Sequence, residues 1–533
     1  MSVDTLEALL AAGRDDAPAL EAPGIPVALT YGALRGLVER TITELNGAGI
    51  GRGDRVAIVL PNGPEMAAAF LAVGAGATAA PLNPAYRADE FEFYLTDLRA
   101  KLLLVQDGVE TPALAVAEKL GVPVGRLTPT PSEGAGSFRL ALPDGTTAIA
   151  SGAKQSRADA QAPGLLRSAR NDEGERTGYA EPDDIALVLH TSGTTSRPKI
   201  VPLSQRNVCA SAGHIRSSLA FTAADRGLNI MPLFHIHGLI AGILAPLSAG
   251  GTVSCTPGFN ALQFFAAVKE ARPTWYTAVP TMHQAILGRA GRNQDVIAAN
   301  PLRFLRSSSA SLPPQVMAEL ETAFGAPVIE AYGMTEAAHQ MASNPLPPRA
   351  RHAGSVGLAA GPEIGIADPD GALLPRGETG EIVIRGPNVM GGYEANPAAN
   401  AEAFTPGGWF RTGDQGALDP EGYLRLTGRL KEIINRGGEK VSPREVDEVL
   451  MDHPAVSQCV AFAIPHDKLG EEVGAVVVFR EGAEAGEAEL RRFAGERLAA
   501  FKVPARILVL DEIPKGATGK LQRIGLAAKL GLV

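Results

Sequence analysis

Arg55-Val-Ala-Ile-Val-Leu60 is apolar at every position after its first, and a helical pattern opens just beyond it at Pro64 and runs to Val73. Lys101-Leu-Leu-Leu-Val105 and Asp184-Ile-Ala-Leu-Val-Leu-His190 have the same texture. A strand with one wet face alternates polar and apolar residues. A strand that is apolar throughout is covered on both faces, which calls for helices above and below a largely parallel sheet. The chain is therefore expected to be α/β, with a large N-terminal domain of parallel-rich sheets flanked by helices. At 533 residues and 45% hydrophobic content it is long enough for more than one substantial core.

The texture changes along the chain. From about residue 356 to 430, alternation in Gly380-Glu-Ile-Val-Ile-Arg385 and turns at Asp370-Gly371 and Pro420-Glu-Gly422 predict a β-barrel-like subdomain. After Gly428-Arg-Leu-Lys-Glu432 a separate pattern begins, with a helix at Ser442-Pro-Arg-Glu-Val-Asp-Glu-Val-Leu450, a strand at Val473–Phe479 and a helix at Ala488–Ala499. Ser442 is the expected N-cap, Pro443 the first helical residue, and Glu445 the partner that completes a capping box. The boundary falls at about residue 430, giving domains of 1–430 and 431–533, the second small and α+β. Ser132 to Pro182, rich in Gly, Ser, Ala, Arg and Asp with weak periodicity, is expected to be loop or a partly ordered excursion.

A formal net charge of −9 argues against nucleic acid or an anionic membrane as partner, so an anionic substrate needs a local set of donors. Met1 to Glu7 lacks the basic start and apolar core of a signal peptide, and Leu526 to Val533 shows no peroxisomal tripeptide or lipidation box. Met66–Leu82 and Ile236–Gly251 fall short of the roughly 20 apolar residues of a span, so no membrane span is expected. Cys209, Cys255 and Cys459 fit no disulfide framework or zinc spacing, and a reducing cytoplasm is the expected location.

Three stretches carry chemistry. Thr191-Ser-Gly-Thr-Thr195 follows a buried strand, and its small residues let backbone N–H groups approach an anion, with Lys199 as a point charge. It is not a Walker A loop, because Pro198 precedes the lysine and Ile200 follows it. Ala331-Tyr-Gly-Met-Thr-Glu336 offers an aromatic face, a glycine for close backbone approach to a flat ligand, and a hard oxygen donor suited to Mg²⁺. Taken alone, Glu336 reads equally as a first-turn helix residue. Asp414 and Arg429 could hold the two edges of a ribose, although Asp414 before Gln415-Gly416 is as well placed for a turn.

Together with Gly408-Trp-Phe-Arg-Thr-Gly-Asp414, Arg436-Gly-Gly-Glu-Lys440 and Pro514-Lys-Gly-Ala-Thr-Gly-Lys520, these residues resemble the adenylate-forming superfamily of acyl- and aryl-CoA synthetases, adenylation domains and firefly luciferase. The resemblance runs from about Leu29 to Lys520. It implies a carboxylate attacking ATP to give an acyl-adenylate, then transfer of the acyl group to coenzyme A, with Mg²⁺ as the metal. It also implies roles. Thr191, Ser192, Gly193, Thr194, Thr195 and Lys199 hold phosphates; Ala331, Tyr332 and Gly333 flank adenine; Thr335 meets the α-phosphate; Glu336 holds Mg²⁺. Asp414 and Arg429 bind ribose, Lys520 bridges the acid and the α-phosphate, and the mobile small domain turns about Lys431 so that Gly438 and its neighbours help shape the pantetheine tunnel. Ser196 and Ile200 stand where the family often has glycine, so the loop exit is expected to be stiffer.

For the acid, Phe234-His-Ile-His-Gly238, Ser307-Ser-Ser-Ala-Ser-Leu312 and Ala337-Ala-His-Gln340 bring histidines and serines where a fatty or aryl acid would need an apolar slot. The His-x-His pair could also read as two zinc ligands without a third, or as core packing. The surrounding strings most resemble the oxalate–CoA ligase branch, which implies Ser309 and His339 at the distal carboxylate with His235 supporting them. The alternatives are a ligase for another short-chain, dicarboxylic or aryl acid, or loading of a carrier protein supplied by a partner. Lys520, on a glycine-flanked loop, is also a candidate target for a lysine acetyltransferase, since acetylation removes its charge.

Overall fold

The computed structural model describes residues 3–143, 176–191, 198–514 and 523–532. Two mostly parallel sheets dominate it. The first has nine strands in the order Leu358–Ala359, His339–Ser343, Val328–Met334, Phe304–Ser307, Trp275–Ala278, Arg226–Asn229, Thr252–Cys255, Pro18–Ala22, Ile25–Thr30. Its centre is parallel and its two ends turn antiparallel. The second has seven strands, with Leu102–Gln106, Arg55–Val59, Thr78–Pro81 and Ile185–His190 side by side at its centre.

The helix Pro64–Gly74 explains why the sheets lie face to face. Its sequence is almost entirely Ala, Leu, Val, Met and Phe, and every residue except Glu65 is buried. A helix apolar all round must be enclosed, and this one touches strands of both sheets, as does Gln205–Ser218. Ile236–Gly251 is enclosed in the same way, as the π-helical turn His237–Leu244 and the short helix Ala245–Leu247. Among the described residues no helix is long and apolar enough to cross a membrane.

Residues 363–429 form a four-stranded antiparallel meander of Glu363–Ala367, Gly380–Arg385, Phe410–Leu418 and Leu424–Arg429, the β-rich subdomain expected from the turns. The smaller C-terminal domain wraps the long hairpin Val456–His466 and Gly470–Phe479 with the helices Pro443–Met451 and Glu487–Gly495. It meets the large domain where Gln284 Nε2 donates to Ser457 O at 3.1 Å and Arg480 pairs with Glu319 at 3.3 Å.

Two local expectations need correction. Ser442 caps its helix by accepting from Glu445 N at 3.3 Å, but Glu445 does not return the bond. Its carboxylate instead holds Lys502 Nζ at 2.7 Å, so there is half a capping box and an ion pair. In the Ser132–Pro182 excursion, Phe138–Ala141 is a strand pairing with Val124–Pro129, and residues 144–175 lie outside the described part.

Candidate active site

Ligands of open α/β sheets sit outside the carboxyl ends of the parallel strands, and the predicted residues collect there. Ile185–His190 ends at Thr191, Phe304–Ser307 at Ser308 and Ser309, and Val328–Met334 at Thr335 and Glu336. Of the residues expected to hold phosphates, Ser192, Gly193, Thr194 and Thr195 lie outside the described residues, as does Lys520. The loop's ends are described and pinched together. Thr191 N donates to Lys199 O at 2.9 Å, and Lys199 N donates to Thr191 Oγ1 at 3.0 Å. Ile200, odd for a glycine position, is the buried first residue of the strand Ile200–Ser204, where a β-branched side chain belongs.

Lys199 Nζ lies 4.4 Å from the centre of the Tyr393 ring, and Tyr393 donates its hydroxyl to Glu336 Oε1 at 2.8 Å. Tyr393 therefore links the loop's cation to the predicted metal-binding carboxylate, a role that sequence reading missed. Burial pushes the Glu336 carboxyl up, against the Tyr393 hydrogen bond and the charges of Arg429 and Lys199. No group of three or more His, Cys, Asp or Glu that could hold a metal is present among the described residues. One buried carboxylate still fits Mg²⁺, which keeps its waters and takes most ligands from substrate phosphates.

On the opposite side, Tyr332 donates its hydroxyl to Asp414 Oδ2 at 2.5 Å, and Arg429 Nε lies 3.3 Å from Asp414 Oδ1. Asp414 and Arg429 face each other across the paired strands Phe410–Leu418 and Leu424–Arg429, so the meander itself sets their spacing. Thr335 and His235 line one cleft with His190, Tyr86, Tyr94 and Phe234. Lys431 is exposed in the turn that follows, where Glu432 N and Ile433 N both donate to Arg429 O. Gly437 and Gly438 have φ of 60° and 96° between Ile434–Arg436 and Glu439–Val441, the positive pair that a tight hairpin turn requires.

Gly333 has a reason within the fold itself. A Cβ there would lie 1.6 Å from His339 O, so the close approach is to the chain's own backbone, at the register shift between Val328–Met334 and His339–Ser343. That bulge delivers the acid-side residues. His339 takes φ 97° and Ser309 φ 73°, both unusual for non-glycine residues.

The histidine and serine set forms one buried cluster around Arg306. His237 Nδ1 lies 3.0 Å from Ser309 Oγ and its Nε2 2.7 Å from Thr277 Oγ1. The His237 and His339 rings stack at 4.8 Å. Arg306 Nη2 reaches His339 Nε2 and Gln340 Oε1, each at 3.2 Å, and Nη1 reaches His237 Nε2 at 3.3 Å. The imidazole supporting Ser309 is thus that of His237, while His235 turns to the cleft with Thr335 and accepts from His237 N at 3.3 Å. Arg306 was readable only as an oddity, an arginine inside the apolar run Phe304-Leu-Arg-Ser307. Arginine is almost never fully buried without partners.

Glu330 sits one residue before Ala331, fully buried, with Oε1 accepting from Leu312 N at 3.1 Å and Oε2 unpartnered. Burial pushes its carboxyl up to about 7. A carboxyl raised in the folded state binds more protons there than in the unfolded chain, so its ionisation weakens the fold as pH rises through the window from the ordinary carboxylate range to 7. Glu330→Gln should remove that part of the decline, making the drop in denaturation midpoint between pH 5 and 8 visibly shallower than in the wild type.

The AMP-binding enzyme family matches residues 9–394, and the AMP-binding enzyme C-terminal domain matches residues 445–520. The chain belongs to the AMP-binding enzyme family. It is 46% identical to the oxalate–CoA ligase of Arabidopsis thaliana over 531 residues, covering 98% of both chains. It is 42% identical to the oxalate–CoA ligase of Saccharomyces cerevisiae, over 89% of this chain and 86% of that one. The solved structure of ATP-bound MatB from Rhodopseudomonas palustris is 30% identical and superposes with a TM-score of 0.84 over 99% of both chains. As an enzyme of this family the chain is an ATP-dependent, AMP-forming acid–CoA ligase that works through an acyl-adenylate.

Proposed function

We propose that this AMP-binding enzyme joins oxalate to coenzyme A. The observation that carries the acid assignment is the polar cluster of Ser309, His237, His339 and Arg306, of which only Ser309 is partly exposed. A fatty or aryl acid would have to press an apolar tail against the partly exposed Ser309 hydroxyl and strip it of water, at a cost of about 1–3 kcal/mol. A short acid with a polar distal end can hydrogen-bond to it. The two relatives named as oxalate–CoA ligases support the same choice.

In the first step an acid oxygen attacks the α-phosphorus of ATP and pyrophosphate leaves. In the second a thiol sulfur attacks the acyl carbon and AMP leaves. Thr191, Ser192, Gly193, Thr194, Thr195 and Lys199 hold the phosphates in this account, and Thr335 contacts the α-phosphate. Ala331, Tyr332 and Gly333 flank adenine. Asp414 accepts from the ribose hydroxyls, and Arg429 holds the other edge. Mg²⁺, held by Glu336, supplies charge neutralisation when bound. Lys520 brings two anions together and stabilises the charge that develops between them. Ser309 and His339 serve the distal end of the acid.

The domain boundary lies at residues 430 and 431, with Lys431 as the hinge whose rotation withdraws Lys520 and brings Gly438 towards the pantetheine arm. Acetylation of Lys520 by a lysine acetyltransferase would switch off the first step. Three free, buried thiols at Cys209, Cys255 and Cys459 support a reducing compartment, the cytoplasm. The thiol assignment is tested by sustained AMP release with and without CoA. Release should continue over many turnovers only with CoA, and a requirement for a carrier protein in its place would refute it.

A further inference from the structure

Arg306 is fully buried, and its neighbours are all uncharged side chains. Its Nη atoms reach His237, His339, Thr277 and Gln340, and its Nε has no hydrogen-bond partner. Among the described residues no Asp or Glu pairs with it, whereas even the half-buried Arg523 of the small domain has both Asp447 and Glu432. Buried charges are ordinarily paired, because removing an ion from water is costly unless a counter-charge replaces the solvent. Burial pulls the Arg306 guanidinium down to about 9, still above neutral pH, so it keeps its charge.

The hydrogen bonds around it have a fixed direction. A guanidinium only donates, so His339 Nε2 facing Arg306 Nη2 must accept, and His339 is neutral with its proton on Nδ1. His237 Nε2 likewise accepts, from Arg306 and from the Thr277 hydroxyl, which leaves its proton on Nδ1 to be donated to Ser309 Oγ. Ser309 accepts that bond and keeps its own O–H to give away. The chain from Arg306 through His237 thus makes the partly exposed hydroxyl a donor, backed by an uncompensated positive charge.

We infer that Arg306 is a specificity-determining positioning residue: it makes the acid site selective for small acids whose distal group carries a second negative charge, with that group serving as the counter-ion that no Asp or Glu among the described residues provides. The inference rests on the ligase reading above and deepens it by naming the charge of the substrate. Neither the polar lining nor the hydrogen bonds alone would distinguish a carboxylate from its neutral amide. The guanidinium does.

The experiment compares oxalate with oxamate, and malonate with its monoamide, which keep size and shape while removing the second charge. Readouts are kcat/KM in acid-dependent pyrophosphate release, KM for ATP and the melting temperature. The wild type should prefer each diacid over its monoamide. Arg306→Met should collapse that preference by roughly a hundredfold, chiefly through KM for the diacid. Arg306→Lys, which keeps the charge, should retain most of it. Gln340→Glu, which sets a carboxylate against Arg306 Nη2, should lower the preference without touching the arginine, and decides the matter alone if Arg306→Met does not fold. A wild-type enzyme indifferent to the second charge overturns the inference, and so does a folded Arg306→Met or Gln340→Glu that keeps the preference. An enzyme that ignores oxalate but prefers malonate over its monoamide in an Arg306-dependent way sinks the oxalate reading and leaves this inference standing.

Discussion

Lys520→Gln should lower acid-dependent pyrophosphate release from ATP by about a hundredfold to a thousandfold, while CoA-dependent turnover of supplied acyl-adenylate falls only a few-fold. The magnitude follows from the loss of a charge stabilising the meeting of two anions, the range seen when one preorganised donor is removed from a transition state. The asymmetry follows from the two steps. Only the first brings a carboxylate against a phosphorus already surrounded by negative oxygens. The second consumes a neutral acyl centre and expels AMP. Because glutamine keeps length and polarity but removes the charge, it also mimics acetylation. Equal losses in both half-reactions would show that Lys520 supports the fold or a shared binding step. Full adenylation activity would remove it from the mechanism.

The second large effect is on stability. Gly333→Ala should lower the melting temperature by a few degrees and abolish binding of the acid, because the new Cβ would fall 1.6 Å from His339 O. No side-chain rotation relieves a clash between Cβ and a backbone oxygen, so the bulge between Val328–Met334 and His339–Ser343 must open. Overpacking of this kind costs about 1–3 kcal/mol or more. The His339 imidazole would move with its backbone, away from Arg306. Differential scanning calorimetry together with acid titration separates the outcomes. A variant with wild-type melting and unchanged affinity would show that the bulge is soft.

The architecture was legible because its signals were strong and local. Uninterrupted apolar strands and the alanine-rich Pro64–Gly74 announce sheets covered on both faces, and the structure places that helix between two of them. Residues adjacent in the chain, such as Tyr332 to Glu336 or Thr191 and Lys199, could be read as units because a loop delivers them together. The acid side was only half legible. His237 meets Ser309, and alternate residues on a turn cannot be ranked until the π-helical turn His237–Leu244 is in place. Arg306, Tyr393 and Gln340 act through partners tens or hundreds of residues away, such as Tyr393 with Glu336, and no local pattern encodes such pairing. The glycine of Tyr332-Gly-Met-Thr-Glu336 has a further reason that its local sequence did not show, the chain's own close packing against His339.

The most direct measurement of the central claim is product identification by mass spectrometry. The purified enzyme would be given ATP, Mg²⁺ and CoA with an equimolar mixture of oxalate, malonate, octanoate and benzoate. The account predicts oxalyl-CoA as the dominant thioester, formed with one AMP and one pyrophosphate per turnover and absent when ATP or CoA is withheld. Octanoyl-CoA or benzoyl-CoA accumulating while oxalate stays unconsumed would contradict it.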